Sequence, residues 1–137
     1  MSKVQVKWID ALRFVGVDSA KHSIVMSTQD EENATGLKPS DLLLIALGGC
    51  TGVDVVNILR KQRQNISAVE INVIGEQDDE LPKPFRKINI EYIFRGKNLS
   101  ETAILRAIQL SEEKYCSVRA TVSGVAQVTH SYRVEES

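Results

Sequence analysis

One segment, Pro39 to Gln64, constrains this chain more than any other, because its pattern is helical and apolar around most of the circumference. Pro39 suits a first helical turn, Ser40 can serve as N-cap, and Asp41 complements the positive end of the helix dipole. Arg60, Lys61 and Arg63 stand in the last turns, where cations are favoured. Leu43, Ala46, Leu47, Cys50, Val53, Asp54 and Asn57 fall on one stripe, while Leu42, Leu44, Ile45, Val55 and Ile58 cover other faces. Such a helix has to be buried on more than one side. Gly48, Gly49 and Gly52 interrupt it, each costing about 1 kcal/mol relative to Ala. A close backbone approach, by a second helix or by a substrate at Cys50, is the compensation expected.

Strand patterns surround this helix. Val4, Val6 and Trp8 alternate with polar residues, and Leu12–Val17 and His22–Thr28 read as two more strands. Gln29–Lys38 is polar and reads as a loop. Beyond the helix, Ala68–Glu76 and Lys87–Arg95 alternate as strands, separated by a break at Leu81-Pro82-Lys83-Pro84. Ser100 caps a second helix predicted to reach Tyr115. Val118–Val122 and Val125–Val134 are expected to close the chain as strands. The order βββ-α-ββ-α-ββ is an α+β fold with mainly antiparallel sheets around a buried central helix, read as one domain over residues 1–137.

The chain carries 17 Lys+Arg against 18 Asp+Glu, without a basic stripe, so no nucleic-acid partner is expected. The longest uninterrupted apolar run, Leu42–Leu47, is too short for a bilayer, and Met1–Asp10 lacks the apolar region of a signal peptide. A cytoplasmic location without membrane contact is expected. In that reducing compartment, Cys50 and Cys116 read as free, catalytic or metal-binding thiols rather than a static disulfide. Metal is not expected: there is no C-x-x-C, and only His22 and His130 could assist.

Cys50 and Asp54 share a helix face. A carboxylate opposes thiolate formation, so an activating cation has to come from elsewhere, with Arg13, Lys21 and His22 as candidates. A buried, inert Cys50 is the competing reading. Cys116 falls at a helix–strand junction and, taken alone, reads as packing. Gly48-Gly49-Cys50-Thr51-Gly52 is not a phosphate loop, since it lacks the Lys-Ser/Thr ending and lies inside the helix.

Pro39-Ser40-Asp41-Leu42-Leu43-Leu44, leading to Gly48-Gly49-Cys50-Thr51-Gly52-Val53-Asp54-Val55-Val56, resembles the central helix of the OsmC/Ohr family. Leu110-Ser111-Glu112-Glu113-Lys114-Tyr115-Cys116-Ser117-Val118 resembles its second-cysteine segment, and Trp8 with His130-Ser131-Tyr132 is similar to the YhfA-like branch. The resemblance implies an intertwined homodimer and a thiol-dependent peroxidase acting on small organic hydroperoxides. It implies that Cys50 attacks the peroxide, that Cys116 resolves the resulting sulfenic acid, and that an external dithiol or lipoyl-type reductant restores both, with no bound cofactor. Typical members pair an Arg of the N-terminal sheet with a Glu near the start of the central helix. Here that Glu position corresponds to Ser40, beside Asp41, and the Arg falls near Lys21 or His22, with Arg13 earlier. The alternatives are a binding or stress-associated module with weak or no turnover, and a thiol hydrolase using Cys50 with His22 or His130.

Overall fold

A computed structural model of the protein describes residues 1–136. These group into two compact units, Met1–Leu43 and the chain from Leu44 onward. In the first unit, β1 (Val4–Asp10), β2 (Arg13–Asp18) and β3 (Ser23–Ser27) form an antiparallel meander. Ala11 (φ 41°) and Lys21 (φ 69°) take the left-handed conformation that its tight turns need. The following loop is tied back to β3: the Leu37 N–H donates to the Val25 carbonyl at 2.9 Å, and the Ser27 N–H to the Leu37 carbonyl at 3.1 Å.

The central helix, α1 (Pro39–Lys61), starts in the first unit and continues into the second. There β4 (Asn65–Gln77) and β5 (Phe85–Lys97) pair antiparallel, and β6 (Gln127–Glu136) adds to β5 in parallel. A parallel neighbour requires a crossover, which α2 (Glu101–Leu110), a π-helical turn at Ser111–Tyr115 and α3 (Ser117–Val122) supply. The Ser100 hydroxyl accepts the Ala103 N–H at 3.2 Å, the expected cap of α2.

The core of this second unit joins Leu47, Val55 and Leu59 of α1 to Ile90, Tyr92 and Phe94 of β5 and to Ile104, Ala107 and Ile108 of α2. Each large apolar side chain buried this way contributes about 1.5–3 kcal/mol. Within the chain, α1 is buried along Leu47, Thr51, Val55 and Leu59 rather than on several sides. On its opposite face Ile45 (53 %) and Val53 (71 %) stay exposed. By length and composition α1 could cross a membrane, yet its Leu47–Leu59 stripe is fully buried in protein.

The glycines answer to the sheet instead of a second helix. A Cβ at Gly52 would lie 2.9 Å from the Ile71 side chain, and one at Gly48 would lie 3.0 Å from Val73, both on β4. A Cβ at Gly49 would meet nothing within 4 Å among the described residues.

Two further expectations are corrected. Val118–Val122 is helical, so the chain ends in one strand rather than two: Cys116 caps a helix start there, and this local geometry overrides the β propensity of Val118, Thr121 and Val122. Ser40 lies inside the first turn of α1, its hydroxyl buried and without a hydrogen-bond partner, so it does not cap the helix.

Candidate active site

Cys50 lies in the middle of α1, half-buried, and Asp54 follows one helical turn later. The Asp54 Oδ2 accepts a hydrogen bond from the Ser111 hydroxyl at 2.9 Å. Ser111 itself is fully buried and opens the π-helical turn.

That turn sets the place of Cys116. Its N–H reaches five residues back to the Ser111 carbonyl at 2.8 Å, after which the backbone becomes extended (φ −78°, ψ 102°) and α3 begins. As N-cap of α3, Cys116 accepts the Arg119 N–H on its sulfur at 3.3 Å. The result is a convergence of Cys50 Sγ, Cys116 Sγ and an Asp54 carboxylate oxygen, all within 4.8 Å of one another. Both cysteines are free thiols.

The two sulfurs sit in unequal surroundings. Cys116 is only 4 % exposed. Burial pushes its thiol up to about 11, and a hydrogen bond toward Cys50 and the charges of Cys50 and Asp54 add to the rise, opposed by the Arg119 N–H. Cys116 is therefore a protonated thiol at neutral pH, facing the more accessible Cys50.

Glu112, next to Ser111 in sequence, belongs to a second polar group. Glu112, whose Oε1 is 2.9 Å from His130 Nδ1, also has Oε2 4.0 Å from Arg119 Nη2, and Arg119 Nη1 donates to the Glu112 carbonyl at 3.3 Å. The Tyr92 hydroxyl is buried, and burial raises its ionisation to about 12, with the Thr51 hydroxyl opposing the shift and Glu112 and Cys116 adding to it.

The structure brings together Cys50, Asp54 and Cys116, and Arg13 and His22 have partners within the first unit. Arg13 donates to Asp10 Oδ1 at 3.0 Å, to Thr35 Oγ1 at 3.0 Å and to the Glu32 carbonyl at 2.7 Å, all within the first unit. His22 pairs its Nδ1 with Asp18 Oδ2 at 2.9 Å, and hydrogen bonds from the His22 backbone and ring hold the Asp18 carboxyl below its usual range. Asp41 lies exposed in the first turn of α1, where it serves the helix dipole, about 13 Å along the axis from Cys50. Ser111, Glu112 and Arg119 were not foreseen. The Cys116-Ser117-Val118-Arg119 spacing is that of an N-cap and its N3 residue, the one local signal that points to Arg119.

The sequence model of the OsmC-like protein family matches residues 28–131. This chain is an OsmC-like protein. Protein YhfA of Escherichia coli strain K12 is 38 % identical over 132 residues, 96 % of this chain and 97 % of the relative. The crystal structure of a hypothetical protein from Aquifex aeolicus VF5 matches the OsmC-like chain with a TM-score of 0.89 at 31 % identity, covering 100 % of this chain and 98 % of that one. The organic hydroperoxide resistance protein OhrB of Bacillus subtilis shares the fold at a TM-score of 0.64 and 16 % identity, over 97 % of this chain and 98 % of its own.

Proposed function

We propose that this OsmC-like protein is a thiol-dependent peroxidase that reduces small organic hydroperoxides through Cys50 and Cys116. The observation carrying this reading is the meeting of an accessible thiol with a buried, protonated one within 4.8 Å. The Cys50 thiolate attacks one peroxide oxygen, the O–O bond breaks, and the departing alkoxide takes a proton to leave as an alcohol. Cys50 is then a sulfenic acid. Cys116 gives up its proton, its sulfur bonds to the Cys50 sulfur, and water leaves, so two thiols have supplied the two electrons. In this reading Asp54, whose carboxylate lies within 4.8 Å of both sulfurs, receives the Cys116 proton. An external dithiol or lipoyl-type reductant restores both thiols by two exchanges. The name of the fold neighbour OhrB, an organic hydroperoxide resistance protein, supports this reading.

We also read the chain as a cytoplasmic homodimer. The support is the exposed apolar face of α1 with Ile45, Val53 and the open space at Gly49; light scattering that gives a monomer at micromolar concentration overturns it.

A second reading, a binding or stress-associated module with little turnover, rests on Arg13: its guanidinium is engaged by Asp10, Glu32 and Thr35. Among the described residues, the hydrogen bond to Cys116 Sγ comes from a backbone N–H and not from a cationic side chain. Mass spectrometry after treatment with an organic hydroperoxide separates the two. The peroxidase yields an intramolecular Cys50–Cys116 disulfide within a turnover, whereas thiols that remain reduced select the binding module.

A further inference from the structure

We propose that Cys50, Asp54 and Cys116 also form a reversible binding site for a thiophilic divalent cation of the zinc class. The sequence argued against metal because it lacks a C-x-x-C pair; the fold instead assembles the donors from α1 and the α2–α3 crossover. Two sulfurs and one carboxylate oxygen within 4.8 Å of one another form a three-ligand set. In a tetrahedral zinc site, with Zn–S about 2.3 Å and Zn–O about 2.0–2.2 Å, neighbouring donors stand about 3.5–3.8 Å apart. Side-chain rotations that draw the donors in by about 1 Å satisfy that geometry.

The chemistry of the set selects the ion. Thiolates favour zinc and its soft relatives over magnesium or calcium, which require oxygen ligands. Two of the three ligands are already oriented by outer hydrogen bonds. Ser111 donates to Asp54 Oδ2 at 2.9 Å, leaving the carboxylate a second oxygen, and the Arg119 N–H donates to Cys116 Sγ at 3.3 Å. Partners of this kind fix ligand orientation in metal sites. Cys50 is only half-buried, which leaves the fourth position to water or to a small external ligand. Two thiolates and a carboxylate carry three negative charges against two positive ones, so the bound site is compact and nearly neutralised. A metal on Cys50 engages the sulfur lone pair that would attack a peroxide, so the same ion inhibits the proposed peroxidase.

The test uses the reduced full-length protein and cobalt(II) as the spectroscopic probe, with no hydroperoxide present, so its result does not depend on turnover. The expected result is one cobalt per chain, with sulfur-to-cobalt charge transfer and the visible bands of a tetrahedral ion, both bleached by an equimolar addition of zinc. Cys116→Ser should weaken zinc binding by about a hundredfold or more and reduce the charge-transfer band, and Asp54→Asn should weaken binding at least about tenfold. Ser111→Ala, which keeps every ligand, should weaken it by about ten- to a hundredfold as an outer-partner loss. Absence of the charge-transfer band in the reduced wild-type protein overturns the proposal, as does a band unchanged by Cys116→Ser or zinc binding unchanged by Asp54→Asn. If cobalt binds but hydroperoxide leaves both thiols reduced, the metal site stands and the peroxidase reading falls; the reverse pattern removes the metal site alone.

Discussion

Cys50 and Cys116 meet at one point but are held there by opposite kinds of backbone. Cys50 sits in unbroken α-helix, where its neighbours at one turn, Asp54 among them, follow from a fixed period. Cys116 sits where a π-helical turn stops and α3 starts, and its sulfur replaces a side-chain oxygen as the cap of that helix. One thiol is half-buried and presented; the other is buried and structurally engaged. The difference shows how a fold can give two identical functional groups different surroundings beside one shared carboxylate, Asp54. Regular helix offers access, and the junction offers burial and a backbone N–H.

The largest expected consequence of this asymmetry is catalytic. Cys50→Ser should remove hydroperoxide reduction by on the order of 10³-fold or more, because it deletes the nucleophile itself. Cys116→Ser should keep the first turnover near the wild-type rate and fail afterwards, accumulating sulfenic and then sulfinic acid at Cys50. Stopped-flow consumption of one equivalent of hydroperoxide, followed by intact-mass analysis, reads both. Equal loss of the first turnover in the two variants would break the division of labour.

A smaller expected effect concerns stability, and it runs the other way. Cys116→Ala removes a buried sulfur and the cap of α3, which should cost about 1–2 kcal/mol. Cys50→Ala removes a half-exposed group from a good helix position and should stay within about 0.5 kcal/mol. Urea unfolding of the two single variants measures the pair. A Cys50→Ala cost as large as that of Cys116→Ala would mean that Cys50 is packed as tightly as its partner.

The same contrast explains what could be read before the fold was known. The period of α1, the alternation of β4 and β5 and the Ser100 cap are local signals, so the α+β order up to α2 was legible. So was the pairing of Cys50 with Asp54, four residues apart on one helix. The π-helical turn has no such signature: Ser111–Tyr115 continues the helical pattern of α2, and its contact with Asp54 is made 57 residues away in the chain. Val118, Thr121 and Val122 then carry strand propensity into a helix. Arg119 was missed for that reason, since a strand reading gives the residue three beyond Cys116 no special place. Arg13 and His22 are candidates by charge and by resemblance, and their engagement with Asp10 and Asp18 depends on the β1–β2 and β2–β3 turns. The exposed face of α1 is a related case: its apolar residues were plain in the sequence, but which of them find a neighbour within one chain is a property of the fold.

A further expected effect is a pH dependence that belongs to Cys116. In the unfolded chain this thiol loses its proton near its ordinary value of 9.0, whereas in the folded protein burial, Cys50 and Asp54 raise that value to about 11. Between these limits the folded state binds more protons than the unfolded state, so stability falls as pH rises. The contribution is complete below about pH 9 and is lost by the time the folded thiol ionises near pH 11. Tyr92, raised from 10.0 to about 12, adds a similar decline at the upper end in every variant. Subtracting the curve of Cys116→Ala from that of the wild type removes the part of this background that does not depend on Cys116. Urea midpoints measured from pH 7 upward should give a difference that is flat to about pH 9 and then shrinks as the wild-type protein loses its advantage. A difference that stays constant through that range would show that Cys116 ionises as readily in the fold as outside it. The extra hold on the Cys116 proton that burial, Cys50 and Asp54 supply would then be absent.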